Sequence, residues 1–367
     1  MDCLEPHWQT DAAYYRMFSH KLDERRVPFS GSLALTGSCN LKCIHCYLGS
    51  CYQTPDGTAG ELKTDKWLAI IDEITQAGCL YLLLTGGEPL LRDDFAAIYT
   101  HAKLSGLITS VFTNGTRITP EIVDLFRDLP PGGLEISLYG MTETTYKRVT
   151  GIPGALEKCR QGIERLLAAG IDFSLKTILM TANQNEFHDI KAFARQCGVE
   201  FRFDAAIFPC LDGDPKPLAC RVTPEKAIDL ELEDPEMRTR WRNYLDRQGK
   251  VMPSDRLYNC GTGLTSFHVD PTGNLQPCVL VDNLTYSLLE GPFKKGWDEV
   301  IPRIREIRVD KTGECAQCEE RLLCGLCPAF FKLENGSETI KSDYLCAMGH
   351  YRYNTLFGSK PTGGHDA

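Results

Sequence analysis

The chain predicts an α/β domain with an all-parallel sheet, followed by a small cysteine-rich domain of little regular structure. Three observations predict it. Between about residue 32 and residue 210, apolar strand-like runs alternate with amphipathic helix-like stretches through six strand–helix units. Gly78, Gly106, Gly170 and Gly198 stand where those helices would end. Beyond residue 256 the periodicity fades and cysteines concentrate instead.

The strand-like runs are Leu33–Thr36, Leu80–Leu84, Ile108–Phe112, Leu134–Leu138, Phe173–Leu179 and Glu200–Ile207, read as buried parallel strands. Between them lie helix-like stretches over Asp65–Ala77, Asp94–Leu104, Pro120–Leu129, Ala155–Ala169 and Asn185–Gln196. Thr119-Pro120 and the Pro153-Gly154 turn are start signals for two of these. A closed eight-fold barrel would need more units than the chain supplies. Pro209-Cys210 through Pro217 is turn-rich, and Thr223–Arg247 is charged and helical. The expected organisation is an N-terminal extension over 1–30, the α/β domain over 31–222, a helical connector over 223–256, the cysteine-rich domain over 257–350 and a C-terminal tail over 351–367. Its last stretch, Ser359–Ala367, is expected to be disordered, and no internal repeat or low-complexity tract is present.

A hydrophobic fraction of 43%, a charged fraction of 24% and 367 residues describe an ordinary globular protein with room for one large and one smaller domain. The net charge of −9 argues against nucleic acid as a partner. The locally basic run Arg303, Arg305, Arg308, Lys311 reads as a solvated face. No apolar run reaches membrane-spanning length, and Met1-Asp2-Cys3-Leu4-Glu5-Pro6 lacks a secretion signal, so a cytoplasmic protein is expected. Seventeen cysteines in such a chain read as metal ligands rather than disulfides.

Three of them fall within eight residues, Cys39-Asn40-Leu41-Lys42-Cys43-Ile44-His45-Cys46, with no fourth at ligand spacing. Four cysteines close an iron–sulfur cluster into an electron carrier, whereas three leave an iron open for a substrate or cofactor. The alternative is a zinc site on Cys39, Cys43, Cys46 and His45, for which His45, adjacent to Cys46, is an awkward fourth ligand. The motif resembles the signature of the radical S-adenosylmethionine (SAM) enzymes, in which a flat residue precedes the third cysteine; here it is His45. The resemblance implies a 4Fe–4S cluster on Cys39, Cys43 and Cys46 whose open iron chelates the amino and carboxylate groups of SAM. One electron then breaks the bond from sulfur to the 5′ carbon, and the 5′-deoxyadenosyl radical abstracts a substrate hydrogen. It also implies an open six-stranded (βα)6 partial TIM barrel whose strand C-termini carry the site.

Gly86-Gly87-Glu88-Pro89 follows the second strand. Its glycines let backbone approach a ligand closely, and Glu88 can accept hydrogen bonds from an ammonium group. Placed there, the segment resembles the family's methionine-binding motif. Thr113-Asn114-Gly115 ends the third strand and Ser137-Leu138-Tyr139-Gly140 the fourth, where relatives commonly read Ser-Leu-Asp-Gly. Tyr139 stands in place of that Asp, a departure that puts an acidic role at the position in question. The resemblance makes His45, Gly86, Gly87, Glu88, Pro89, Asn114, Ser137 and Lys176 the expected SAM contacts. Lys176, Arg202 and Asp204 point toward the interior, where an ion pair within that trio is an equal reading; Cys51 reads as a bystander.

Downstream come Cys260, Gly273 and Cys278, then Cys315-x2-Cys318-x5-Cys324-x2-Cys327, and finally Cys346. A structural zinc site is the plain reading of paired C-x2-C, though the spacer is short for a zinc ribbon. The set closely resembles the SPASM extension of radical SAM maturases, with one residue fewer before Cys327. That resemblance implies two auxiliary 4Fe–4S clusters. The outer one is on Cys315, Cys318, Cys324 and Cys346, and the inner one is on Cys260, Cys278 and Cys327. Relatives that fully ligate the inner cluster carry a further cysteine just upstream, whereas 253–259 contains none. The inner cluster is thus expected to keep an open iron for a substrate thiolate or amide, with Asp255, Cys210 or Cys220 as alternative ligands.

SPASM relatives mostly oxidise peptides or proteins, so the resemblance implies a maturase that crosslinks, forms a thioether in, or excises a residue from a ribosomally made precursor peptide. The expected cofactors are SAM and three 4Fe–4S clusters, reduced by a donor such as flavodoxin or ferredoxin. Sulfatase maturases place an acidic base directly after the Gly-x4-Cys cysteine, where this chain has Val279. Roughly thirty-eight residues precede Cys39, too few for a winged-helix recognition domain, so a separate peptide-recognition protein is expected. The alternatives are oxidation of a small molecule, such as dehydrogenation of a sugar or cyclitol alcohol, and an electron carrier without turnover, for which Gly86-Gly87-Glu88-Pro89 would be unnecessary.

Overall fold

The structure, a computed structural model, describes residues 11–49, 60–248 and 254–358. Cys51, Pro253 and the Ser359–Ala367 tail lie outside the described residues. Helix α1 (Asp11–Arg25) leads into strand β1 (Ser30–Ala34), and the alternation follows: α2 (Thr64–Gln76), β2 (Tyr81–Thr85), α3 (Phe95–Leu104), β3 (Ile108–Thr113), α4 (Pro120–Asp128), β4 (Gly133–Ser137), α5 (Glu143–Thr150), α6 (Ala155–Ala168), β5 (Ser174–Ile178), α7 (Phe187–Cys197) and β6 (Glu200–Asp204). All six expected strands and all five expected helices are present, with shifted ends. Helix α5 is additional. Thr142 caps it by accepting the Thr145 N–H at 3.3 Å, and Gly151 ends it at φ 72°.

The six strands are parallel and ordered β6-β5-β4-β3-β2-β1, as expected for an open partial barrel. One face packs on the helices, where Leu82, Leu84, Val111, Ile136 and Leu175 meet Trp67, Ile71, Ile98, Phe126 and Ile163. The other face is not buried to the same degree. Burial alternates along β2 and β3, and inward-facing Ser110, Phe112, Lys176 and Arg202 retain solvent access. A short parallel strand therefore reads as continuously apolar in sequence while only one of its faces is sealed.

The sheet does not stop at β1. Strand β7 (Ser266–Val269) pairs parallel with β1, and β8 (Asn274–Gln276) and β9 (Tyr286–Ser287) add antiparallel beyond it. The docking is aromatic. Phe267 lies against Phe293 and Trp297 at ring distances of 4.9 and 6.1 Å, and Gly31 leaves no room for a Cβ beneath its ring. The cysteine-rich region thus shares the barrel's sheet.

The charged stretch expected as a helical connector holds two helices, α8 (Pro224–Leu232) and α9 (Pro235–Gln248). Pro235 lacks the N–H that continuation would use. The chain closes with α10 (Phe293–Lys295), α11 (Glu314–Gln317), α12 (Pro328–Asn335) and α13 (Asp343–Phe357). Helix α13 continues past residue 350, where the tail was expected, because Leu356 is buried alongside the apolar face of α8. Arg352 joins them: it pairs with Glu231 at 2.6 Å and covers the Trp241 ring at 4.6 Å.

Candidate functional site

Strand β1 delivers the chain to the first cysteine loop, and β2 delivers Gly86-Gly87-Glu88-Pro89 directly against it. The Leu35 N–H donates to Thr85 O (2.9 Å), the Gly87 N–H to Thr36 O (2.7 Å) and the Glu88 N–H to Ser38 O (2.9 Å). A Cβ on Gly86 would strike the Thr36 carbonyl, and one on Gly87 the Ser38 carbonyl. Sequence alone assigns this clearance to a ligand; the structure shows that the crossing of two backbones requires it first. Glu61, which sequence did not single out, accepts from Thr36 Oγ1 (2.9 Å) and the Gly37 N–H (2.7 Å).

The loop's other flank rests on the end of α5. The Lys42 N–H donates to Thr150 O (2.8 Å) and the Ile44 N–H to Val149 O (2.9 Å). The cap and the stop glycine of α5 were the overlooked signals. Asn114 ties in the third strand: its Nδ2 donates to Asn40 Oδ1 at 2.9 Å and lies 3.8 Å from Cys39 Sγ.

Cys39, Cys43 and Cys46 come within range of one another's charge. Burial pushes the Cys39 thiol up to about 11, against the Leu41 N–H that lies 3.4 Å from its sulfur. Burial lifts Cys43 further, and the other two sulfurs add to it. The backbone N–H groups of Leu48 and Gly49 face the Cys46 sulfur. Thiols that resist ionising alone, grouped and met by N–H donors, fit a cationic iron cluster, which would supply the charge that ionises them.

His45 is buried edge-to-face against Tyr139 with ring centroids 4.8 Å apart, and its Nδ1 has no partner within the chain. Burial, with the Lys176 ammonium adding, holds its pKa down to about 4, so the ring is neutral near pH 7. A buried ring nitrogen left unpaired fits a bound polar group. Ser137 ends β4 opposite Lys176 in the register of β5. Lys176 stands 5.8 Å from the Phe112 ring and 4.0 Å from Glu135, and Arg202 pairs with the same carboxylate at 2.8 Å. The ion pair thus forms with Glu135, outside the Lys176, Arg202 and Asp204 trio, while Asp204 accepts the Ala206 N–H at 2.8 Å.

Glu88 is turned the other way. Its carboxylate is fully buried and accepts from Thr113 Oγ1 (2.7 Å), the Asn114 N–H (2.7 Å) and the Leu90 N–H (3.1 Å). The side chain knits the end of β3 to the turn through these three donors, which leave one of the carboxylate's four lone-pair sites for the ammonium group expected there. Pro89 starts the short 3-10 turn that follows and is itself buried.

Two further cysteine groups assemble downstream. Cys315, Cys318, Cys324 and Cys346, from α11, the loop after it and α13, line a cavity of about 60 Å³. Burial raises Cys324 to about 12, and the sulfurs of Cys318, Cys315 and Cys346 add to this. Cys260, Cys278 and Cys327 form the other group: burial raises Cys327 to about 11, with Cys278 and Cys260 adding. Here too N–H groups face sulfur, those of Phe330 and Ala329 at Cys327 and those of Leu280 and Val281 at Cys278. Backbone donors to sulfur are a feature of iron–sulfur sites. Among the described residues, no three His, Cys, Asp or Glu side chains converge tightly enough to hold one metal ion.

Of the alternative inner ligands, Cys210 donates to Cys46 O at 3.3 Å and Cys220 to Ile44 O at 3.6 Å. Both lie on the first loop, which corrects the idea that either completes the inner group. The Asp255 carboxylate faces Lys311 at 4.0 Å. Among the described residues, no helix is long and apolar enough to cross a membrane.

The radical SAM superfamily profile matches residues 33–196. The AdoMet-dependent heme synthase of Methanosarcina barkeri (strain Fusaro / DSM 804) is 30% identical over 316 residues, covering 80% of this chain and 89% of that protein. The mycofactocin maturase MftC of Mycobacterium ulcerans (strain Agy99) is 27% identical over 359 residues, covering 91% and 90% respectively. Among solved structures, Streptococcus suis SuiB bound to S-adenosylmethionine aligns with a TM-score of 0.65 at 14% identity, over 94% of this chain and 83% of SuiB. Native anSMEcpe with bound AdoMet gives 0.65 at 15% identity, over 90% and 97%. The family's cluster spacing, its glycine motif at the end of β2 and its partial barrel all stand in this chain, which belongs to the radical SAM superfamily as an enzyme with a SPASM-type cysteine-rich region.

Proposed function

We propose that this enzyme oxidatively modifies a ribosomally made precursor peptide, by crosslinking it, forming a thioether in it or excising a residue. The observation that carries the reading is the combination, in one fold, of an accessible polar barrel face beside a three-cysteine loop with two further cysteine groups. A substrate that has lost a hydrogen atom must lose another electron to end oxidised, and additional clusters suit its acceptance. Similarity to a mycofactocin maturase along 91% of the chain supports the reading, as does a fold shared with SuiB, which was solved bound to precursor peptide SuiA.

When bound at Cys39, Cys43 and Cys46, a reduced 4Fe–4S cluster with SAM supplies one-electron cleavage of the sulfonium and, through it, hydrogen-atom abstraction. The chain's residues bind and orient. Gly86 and Gly87 expose backbone at the end of β2, and His45 Nδ1 is left to meet SAM, while the Ser137 hydroxyl, which meets Tyr139, and the Lys176 ammonium, 4.0 Å from Glu135, would share those partners with it. Phe112 and Arg202 line the substrate side. Cys260, Cys278 and Cys327 hold an inner auxiliary cluster, and Cys315, Cys318, Cys324 and Cys346 an outer one. The barrel spans residues 31–222, joined through a connector over 223–256 to the auxiliary domain. A separate peptide-recognition protein presents the precursor, and flavodoxin or ferredoxin provides electrons.

A second reading, radical oxidation of a small molecule, is favoured by the heme synthase similarity, which reaches 30% identity. One experiment separates them. Anaerobically reconstituted enzyme is given SAM, a reductant and either a short peptide encoded beside its gene or an iron porphyrin precursor. Peptide-dependent 5′-deoxyadenosine with a mass change on the peptide is the expected result. Stimulation by the porphyrin alone overturns the peptide reading.

A further inference from the structure

We propose that residues 205–221, the segment between β6 and α8, form a strap that positions the first cysteine loop and ties it to the helix after Cys327. Cys210, Cys220 and Phe208 are its positioning residues. On one side the strap grips the loop at successive residues. The Cys220 thiol donates to Ile44 O (3.6 Å), the Cys210 thiol to Cys46 O (3.3 Å) and the Leu211 N–H to Tyr47 O (2.8 Å). The fit is close: a Cβ on Gly49 would lie 2.8 Å from Cys210 Cβ. A thiol that donates to a carbonyl keeps its proton, so both cysteines brace the loop rather than ligate iron.

On the other side the strap is fastened to α12 and α13. Arg221 donates to Ile207 O (2.8 Å) and, bidentate, to Glu334 on α12 (3.0 and 3.1 Å). Its guanidinium covers the Tyr344 ring at 4.4 Å, and Tyr344 donates to Ala205 O at 3.2 Å. Phe208 joins the two sides. Its ring lies 5.4 Å from Tyr47, next in sequence to Cys46, and 5.7 Å from Phe330, whose N–H faces the Cys327 sulfur. The loop that places the first three sulfurs is therefore held by a segment whose other anchors are α12, which begins just after Cys327, and α13. Hydrogen bonding and geometry around the sulfurs set a cluster's properties, so a change at the strap reaches the cluster without touching a ligand.

The test uses full-length, anaerobically reconstituted protein carrying Cys210→Ala, Cys210→Ser or Phe208→Leu. Iron content is expected to match the wild type in all three. With Cys210→Ala, the SAM-induced change in the reduced first cluster's EPR signal shifts and 5′-deoxyadenosine formation falls roughly fivefold, the worth of one hydrogen bond. Cys210→Ser, which keeps a donor, restores both. Phe208→Leu alters the first-loop and inner-group signals together. In SAM-free protein, amide exchange over residues 41–47 quickens in Cys210→Ala and Phe208→Leu, a readout independent of turnover. Loss of one cluster's iron from Cys210→Ala, or wild-type exchange and EPR in both variants, overturns the strap. The proposal uses the radical SAM reading only to identify the EPR signal. A wild-type protein with no SAM-dependent signal sinks that reading, while the exchange rates still decide the strap.

Discussion

Cys315, Cys318, Cys324 and Cys346 surround a small cavity with none of the four exposed, whereas each three-cysteine group leaves one member, Cys39 or Cys260, exposed. The outer group is drawn from α11, a turn and α13, and closes on itself. The trios are built on ends of sheet and helix: the first beside β1 and β2, the inner one around the hairpin β7–β8 and the start of α12. The difference teaches that cysteine number and exposure vary together here. Four cysteines held by helices and a turn enclose their own space, while the trios keep a side open and borrow rigidity from neighbouring strands.

The largest expected effect separates the groups outright. Cys43→Ala should abolish 5′-deoxyadenosine formation and remove about four irons per chain, while Cys324→Ala should lose a similar amount of iron yet retain SAM cleavage, both read by iron assay and chromatography. Equal loss of cleavage in both variants would break the comparison. Next, Gly86→Ala forces a Cβ against the Thr36 carbonyl at a φ of 133°. Strain of about 1–3 kcal/mol is expected in chemical denaturation, with loss of SAM binding by calorimetry. A variant as stable as wild type would show that the two backbones can part.

Glu88→Gln should cost about 1–3 kcal/mol, because three buried donors keep only a weaker acceptor. Its pH dependence has a definite sign. Burial lifts Glu88 from its ordinary 4.5 to about 7, so the folded state holds that proton more tightly than the unfolded state. This group's stabilising contribution is complete below about 4.5 and is lost as pH rises through 7. Glutamine does not titrate, so the penalty of the substitution should shrink between about pH 5.5 and pH 8 in denaturation experiments; a penalty that grows with pH would contradict the burial. The smallest effect sharpens the inner trio. Asp255→Ala should leave iron content and the inner EPR signal unchanged, since that carboxylate faces Lys311, whereas an added small thiol should shift the inner signal and not the outer one. An altered inner signal in Asp255→Ala would make the aspartate a ligand and close the trio.

Much of this was legible locally. Six short apolar runs, each followed by an amphipathic stretch and a glycine, mark strand–helix units because burial period and chain termination are properties of neighbouring residues. Helix α5 was equally legible from Thr142 and Gly151 but is short, and its contribution, two carbonyls offered to the cysteine loop, has no sequence signature. The structural ties of Glu88 were hidden for a different reason: its donors, Thr113 and Asn114, come from the next strand. Cys210 and Cys220 carried no spacing signal at all.

By itself the sequence determined which cysteines could act together at short range and that a parallel sheet would present them, since spacing and periodicity are written along the chain. Only the tertiary structure decided that Glu88 faces inward, that β7 extends the barrel's sheet and that the segment after β6 grips the first loop. Those outcomes depend on which donors, rings and backbones meet across tens or hundreds of residues, and burial there decides whether a polar group binds a ligand or its own fold.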